Sequence, residues 1–297
     1  MSAATAGRSG AALVVAGAAL FGTIGTARVL GPDADAASVG ALRLALAAAL
    51  LLLLAAPAGV EQLRLAVRMP AIWCAGLAQA AFNLTFLNAV VHAGVAIGTL
   101  VAIGCTPILT GLLSRHVSGP WAAATALAIV GLVLLLSDGW GEEVSWLGLG
   151  FALGASASYA TYIVSSSRAT TPVDTTSRLA MIFSVAALVL LPGLFVAPLD
   201  WVVSWSGVLM TVCLAGVATV LAYSLFNRGL HSVAAGTAAT LGLTEPLVAA
   251  VLGVVVLDEQ LSPLSWAGAG VVLVALALMI RTTKPQRAEA QAVAETH

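Results

Sequence analysis

The chain has 297 residues, of which 12 are Lys or Arg and 13 are Asp or Glu. At 8% charged and 60% hydrophobic it cannot build a water-soluble surface, for which soluble domains use roughly 25% charged residues. The formal net charge of −1 leaves no field for a nucleic-acid partner, and Cys74, Cys105 and Cys213 lie singly in apolar runs. No disulfide framework or zinc site is implied, and the three read as small core residues. The composition is that of an all-α integral membrane protein.

A spanning helix takes about 20 apolar residues. Ten segments reach that length, at roughly 10–30, 37–56, 70–91, 94–114, 120–137, 145–166, 177–197, 206–228, 233–257 and 263–281. Short connectors punctuate them: Gly31-Pro32-Asp33, Pro57-Ala58-Gly59, Ser118-Gly119-Pro120, Asp138-Gly139, Pro172 and Ser262-Pro263. The third and fourth segments must join in a very tight turn. The first segment is too long, and too far from a small-residue cleavage site, for a removed signal peptide.

Charge then sets the orientation. With the N-terminus inside, the inner loops and tail hold Arg8, Arg64, Arg68, Arg115, Arg168, Arg178, Arg228, Arg281, Lys284 and Arg287. The outer loops hold Asp33, Asp35, Asp138, Glu142, Glu143, Asp200, Asp258 and Glu259, and no Lys or Arg. This alternation is the positive-inside pattern of a multi-pass inner-membrane protein with both termini cytoplasmic. Only Arg28, Arg43 and Glu245 stay within the helices.

The chain also repeats. At an offset of 139, Asn88 meets Asn227, His92 meets His231 and Pro107 meets Pro246; Asn occurs three times in the chain and His four. At an offset of 138, Gly98-Thr99 meets Gly236-Thr237, Gly104 meets Gly242 and Thr106 meets Thr244, with Glu245 an extra residue. Five helices per copy is an odd number, so the second copy enters upside down. The expected division is 1–138 for helices one to five, 139–283 for the inverted helices six to ten, and 284–297 for a polar cytoplasmic tail.

These features resemble the EamA-type branch of the drug/metabolite transporter superfamily. The matching residues are Arg43 early in helix two, the tight hairpin between helices three and four, Thr106-Pro107, and Thr244-Glu245-Pro246-Leu247 followed by Leu257-Asp258-Glu259-Gln260-Leu261. Asp258 stands where the family more usually has Gly. Within the family the composition is most similar to amino-acid and metabolite exporters of the YddG-like kind. The resemblance implies a ten-helix carrier of two inverted five-helix repeats, with substrate held between the halves by helices one, three, four, six, eight and nine.

The polar residues at membrane depth are the candidate site. An unpaired Glu245 at the centre of helix nine would cost about 3 kcal/mol. It is either a cavity group that contacts a substrate ammonium or carries a coupling proton, or a clamp for the backbone that Pro246 loosens. Pro107 and Pro246 are hinge candidates or static kinks. Gln79 and Asn83 share one face of helix three and suit an amino-acid backbone, or else glue the bundle. Asn88 lies on another face and pairs with Asn227 in the repeat.

Tyr162 (with Ser158 and Ser165), Tyr159 (with Ser166), and Thr219, Tyr223 and Asn227 form stripes on helices six and eight. Tyr159, Tyr162, Tyr223 and Phe21, with Thr23 and Thr26, are expected as pocket walls. Trp140, Trp146, Trp201 and Trp205 read as interface anchors. Arg28 reads as a snorkelling residue. Arg43 reads as a gate contact whose partners are outer-loop acids or a helix C-terminus. His92 and His231 read as turn caps at opposite faces.

No Walker loop is present, so ATP does not drive the protein directly, and no cofactor is implied. The scarcity of helix cations argues against sugar phosphates. A Ser156–His site for an intramembrane enzyme is set against the position of His92 and His231 near helix ends. The expected function is secondary export of amino acids or similar small neutral or zwitterionic metabolites by a monomer in the bilayer. The alternatives are efflux of organic cations resting on Glu245, and an intramembrane enzyme.

Overall fold

The computed structural model describes residues 3–115, 117–139, 145–169, 173–196 and 198–283, with residues 3–6 described by backbone alone. Trp140, Glu142, Glu143, Pro172, Lys284 and Arg287 lie outside the described residues, as does the tail 284–297. Ten long helices are labelled in chain order: α1 (Gly7–Leu30), α2 (Ala36–Ala58), α3 (Pro70–Ala93), α4 (Val95–Ser114), α5 (Gly119–Leu135), α6 (Trp146–Arg168), α7 (Thr175–Phe195), α8 (Trp205–Leu230), α9 (Ala235–Leu257) and α10 (Pro263–Thr282). Among the described residues, nine are long and apolar enough to cross a bilayer. The other, α5, is apolar but has 17 residues.

Each helix is apolar nearly all round, because one side faces other helices and the other faces lipid. Asp35, Ser145, Asp174, Ser204 and Ser262 start α2, α6, α7, α8 and α10 by accepting a backbone N–H of the first turn. The broken helices α4 and α9 both end in a left-handed residue, Arg115 at φ 55° and Asp258 at φ 56°. Asp258 therefore takes the conformation for which glycine is ordinarily used, and Asp tolerates it better than most residues.

Packing runs between the two halves of the chain. Prominent neighbours are α1 with α8, α2 with α7, α3 with α6, α4 with α6, α1 with α9 and α5 with α10. Exchanging each helix for its counterpart five places along leaves this set of pairs unchanged. The α5–α10 contact depends on two glycines. A Cβ on Gly131 would lie 2.7 Å from the Val272 backbone nitrogen, and one on Gly268 would lie 2.7 Å from the Gly131 carbonyl oxygen. Such close backbone approach is how helices associate where lipid gives no hydrophobic drive.

The loops assigned to one side lie together. At the acidic end, Ser145 Oγ donates to the His92 carbonyl at 2.9 Å. There Asp138 also accepts the Ser262 N–H at 2.9 Å and the Ser265 hydroxyl at 2.8 Å. Those bonds, Ser262 first and then Ser265, hold the Asp138 carboxyl below its ordinary range. At the basic end, the Asp174 N–H donates to Gln62 Oε1 at 3.1 Å.

Arg178, expected in an inner loop, is instead buried in the first turn of α7, at 4% exposure. Its guanidinium donates to the Ala169 carbonyl, to Thr175 Oγ1 and to His231 Nε2. Acceptors from three places on the chain replace part of the water it gives up, while its buried Nε has no partner. His231 does close the end of its helix, as a C-cap, but its ring also joins that end to α7.

Other expectations are met or corrected locally. Trp146 and Trp205 are exposed, as interface anchors are, while Trp201 is half-buried. Cys74 is exposed, and Cys105 and Cys213 are half-buried, so none belongs to the core. Hydropathy does not separate a lipid-facing thiol from a core one. Helix α8 carries a π-helical stretch, Cys213–Leu221, that the sequence does not signal. There Thr219 Oγ1 donates to the Leu214 carbonyl five residues back, at 2.7 Å.

Two measurements follow. Gly131→Val is expected to force α5 from α10 and cost about 1–3 kcal/mol, seen as a lowered thermal midpoint in detergent; an unchanged midpoint refutes the close-approach account. For His231, burial first and then the Arg178 charge hold the imidazole below its ordinary range. The folded state thus resists protonation that the unfolded chain accepts. Stability from this contact is complete above pH of about 6.5 and is lost as pH falls through the acid side. The thermal midpoint is expected to drop between about pH 7.5 and pH 5, and His231→Gln to flatten that drop; an equal slope in the variant removes His231 as its source.

Candidate functional site

The site begins where helices break. Pro246 has no N–H for the Gly242 carbonyl, and its ring crowds that oxygen. The Glu245 N–H serves the carbonyl instead, at 3.0 Å. α9 accordingly stops at Leu241 and restarts at Thr244. α4 is divided in the corresponding place, with Cys105 between Val95–Gly104 and Thr106–Ser114, and Pro107 in the first turn of the second piece. The hydrogen-bond ladder is interrupted at both places, while Cys105 and Leu243 keep right-handed helical dihedrals, so each helix runs on through its break. α1 is interrupted too, at Gly22, where a Cβ would lie 2.7 Å from the Glu245 carbonyl oxygen. The backbones of α1 and α9 meet at their two breaks.

Around these breaks lies a polar and aromatic layer. Gln79 Nε2 donates to Tyr223 Oη at 2.8 Å, and Asn83 Nδ2 donates to the Gln79 carbonyl at 2.9 Å, so the two amides do share a face of α3. Asn227 Nδ2 donates to Tyr162 Oη at 2.7 Å and to the Tyr223 carbonyl at 2.9 Å. Its repeat mate Asn88 donates to the equivalent carbonyl, that of Leu84, at 2.8 Å. Tyr223 is the hub: Phe21, Phe183 and Tyr162 surround its ring at centroid distances of 4.6, 4.8 and 5.5 Å. Tyr159 stacks on Tyr162 at 5.9 Å and meets Phe82 at 5.0 Å.

The expected site residues divide into two sets. Phe21, Gln79, Tyr159, Tyr162 and Tyr223 are buried and seal the layer. Arg43, Asn83 and Glu245 are half-buried. Among the described residues Arg43 forms no ion pair with an outer-loop acid; Asp35 caps α2 and Asp138 accepts from Ser262 and Ser265. Arg43 turns inward, and its Nη2 donates to Asn83 Oδ1 at 2.6 Å. Arg28, by contrast, reaches the Ala34 carbonyl in the adjoining loop at 2.9 Å.

Glu245 lies within electrostatic reach of Arg43, Tyr159 and Tyr223. It forms no ion pair with Arg43, since among the described residues only Arg64 and Glu61 come within 4 Å. No hydrogen bond to its carboxylate is present among the described residues either. The backbone nitrogen of Glu245 serves the carbonyl that Pro246 leaves without a donor. Phe82, Phe183 and Asn227 belong to the layer as well, although the sequence did not single out the two Phe. Among the described residues no group of three His, Cys, Asp or Glu forms a metal site. Ser156 is buried against Thr106, with 3.3 Å between hydroxyl oxygens.

Comparison with known proteins agrees with this architecture. Residues 146–281 match the EamA-like transporter family. The chain is 35% identical over 285 residues to the uncharacterized transporter YwfM of Bacillus subtilis (strain 168), covering 92% of this chain and 94% of that protein. It is 33% identical over 273 residues to the threonine/homoserine exporter RhtA of Escherichia coli (strain K12), covering 89% and 88%. A probable amino-acid metabolite efflux pump of the same organism is 26% identical over 213 residues, covering 67% and 71%. One solved structure, titled only as the crystal structure of a protein, superposes with a TM-score of 0.78 at 21% identity, covering 91% of this chain and 96% of that one, and so shares the fold. With relatives matched over nearly their whole length, the chain belongs to the EamA-like transporter family of the drug/metabolite transporter superfamily.

Proposed function

We propose that the protein is a secondary exporter of amino acids or similar small zwitterionic metabolites, working by alternating access. The observation that carries this reading is the pairing of Arg43 with neutral Asn83, while Glu245 stands nearby with no ion partner among the described residues. Two opposite charges kept apart at membrane depth are expensive unless a ligand or water meets them. The names of RhtA and of the efflux pump, both concerned with amino acids, support the substrate class. An organic-cation substrate fits less well, because Arg43 would repel it from Glu245.

The symmetric helix pairing supports two inverted repeats, 1–138 and 139–283, with the breaks at Pro107 and Pro246 as hinges. The charge alternation supports cytoplasmic termini. The absence of any phosphate-binding loop from the sequence supports gradient-driven or facilitated transport. The basic end is sealed by the Arg178–His231 contact and by α9 from Ala235 to Leu241, where every residue is buried. The end of α1 from Thr23 to Leu30 has no buried residue, which supports a site approached from the acidic end.

Liposomes containing the purified protein are expected to take up radiolabelled threonine or homoserine above empty liposomes; no flux for any of a broad amino-acid panel sinks the substrate assignment. Pro246→Ala is expected to join the halves of α9, lowering the transport rate at least tenfold with substrate affinity within about twofold. An unchanged rate removes the hinge role. Equal flux by Glu245→Gln and wild type, with and without a proton gradient, removes Glu245 as a proton carrier.

A further inference from the structure

Three groups in the polar layer have bonding capacity left over. Gln79 is 1% exposed, and its Nε2–Tyr223 bond fixes the amide so that Oε1, which has no partner, is turned away from Tyr223. Arg43 has five N–H donors and a buried Nε without a partner, and the acceptor it holds, Asn83 Oδ1, is uncharged. Among the described residues none donates a hydrogen bond to the Glu245 carboxylate or pairs with it. The layer therefore lacks one anion for Arg43 and N–H donors for Glu245 and Gln79. A primary ammonium and a carboxylate separated by one carbon supply all of these at once.

We propose that Asn83 Oδ1 is an internal stand-in for the substrate's α-carboxylate. In the empty site the amide oxygen occupies Arg43. On binding, the carboxylate displaces it, and the substrate ammonium meets Glu245 with Gln79 Oε1 as its second acceptor. The exchange runs in that direction because a charge-assisted bond to a carboxylate is roughly twice as strong as one between neutral groups, and a carboxylate outbids an amide for a guanidinium. Asn83 is suited to yield because its own Nδ2 stays tied to the Gln79 carbonyl, so the amide need not leave the site. This assignment rests on the amino-acid exporter reading and adds to it the polarity of the bound molecule, carboxylate on α2 and α3, ammonium on α9.

Isothermal titration of the purified full-length protein with L-threonine, its methyl ester and its N-acetyl derivative tests the proposal. Wild type is expected to bind the ester and the N-acetyl compound each at least tenfold more weakly than threonine. Asn83→Asp, which gives Arg43 a permanent carboxylate, is expected to weaken threonine at least tenfold and leave the ester within twofold. Glu245→Gln is expected to close the gap between threonine and N-acetylthreonine and keep the gap to the ester. Failure of wild type to bind threonine overturns both this proposal and the exporter reading. Threonine binding with both analogues within twofold of it overturns the polarity alone, and does so without any variant. Equal weakening of threonine and ester in Asn83→Asp overturns the stand-in role.

Discussion

A hydrocarbon interior contains no water, so every polar group at that depth must find its partner within the protein. This constraint organises the whole structure. Serine and threonine hydroxyls in the helices return their hydrogen to a carbonyl three or four residues back, as Thr85, Thr106, Thr110 and Ser184 do. Asn88 and Asn227 do the same with an amide. Buried side-chain atoms without a partner occur in several places, Trp121, Ser166 and Thr211 among them, and Arg43 and Gln79 bring two into one polar layer. That layer also holds Glu245, beside the breaks in the helix hydrogen-bond ladders.

The two halves are held by pairs of helices that each take one member from either side of residue 138. Such an arrangement has no self-contained half core. The α5–α10 pair is packed backbone to backbone through glycines, and α1 meets α9 just as closely at Gly22. Contacts of this kind are rigid along their length but permit rotation about the point of closest approach. The interruptions in α4 and α9 each lie just before a proline in the first turn of the next piece, Pro107 and Pro246.

Much of this was legible in the sequence, for definite reasons. Apolar length and proline or glycine punctuation locate helices, and rare residues such as Asn88, Asn227, Pro107 and Pro246 point to a repeat because chance matches among them are uncommon. Spacing of four put Gln79 and Asn83 on one face. What spacing cannot convey is how one helix is rotated against another, so Arg43 was matched to outer acids when its acceptor was Asn83, forty residues along. The π-helical stretch in α8 adds to this, since it changes the rotation of Tyr223 and Asn227 relative to residues before it. Arg178 was counted as a loop charge because a rule based on charge cannot see that a helix end is covered.

The brevity of α5 has a consequence for the membrane itself. At 17 residues it rises about 26 Å, less than the roughly 30 Å hydrocarbon thickness of a typical bilayer, while its partner α10 has 20 residues. Lipid beside α5 must thin, or its chains must splay, at a cost of fractions of a kcal/mol per Å. The protein is thus built with one thin flank. Acyl-chain length becomes a determinant of how firmly α5 seats against α10, placing lipid composition among the forces that act on the bundle.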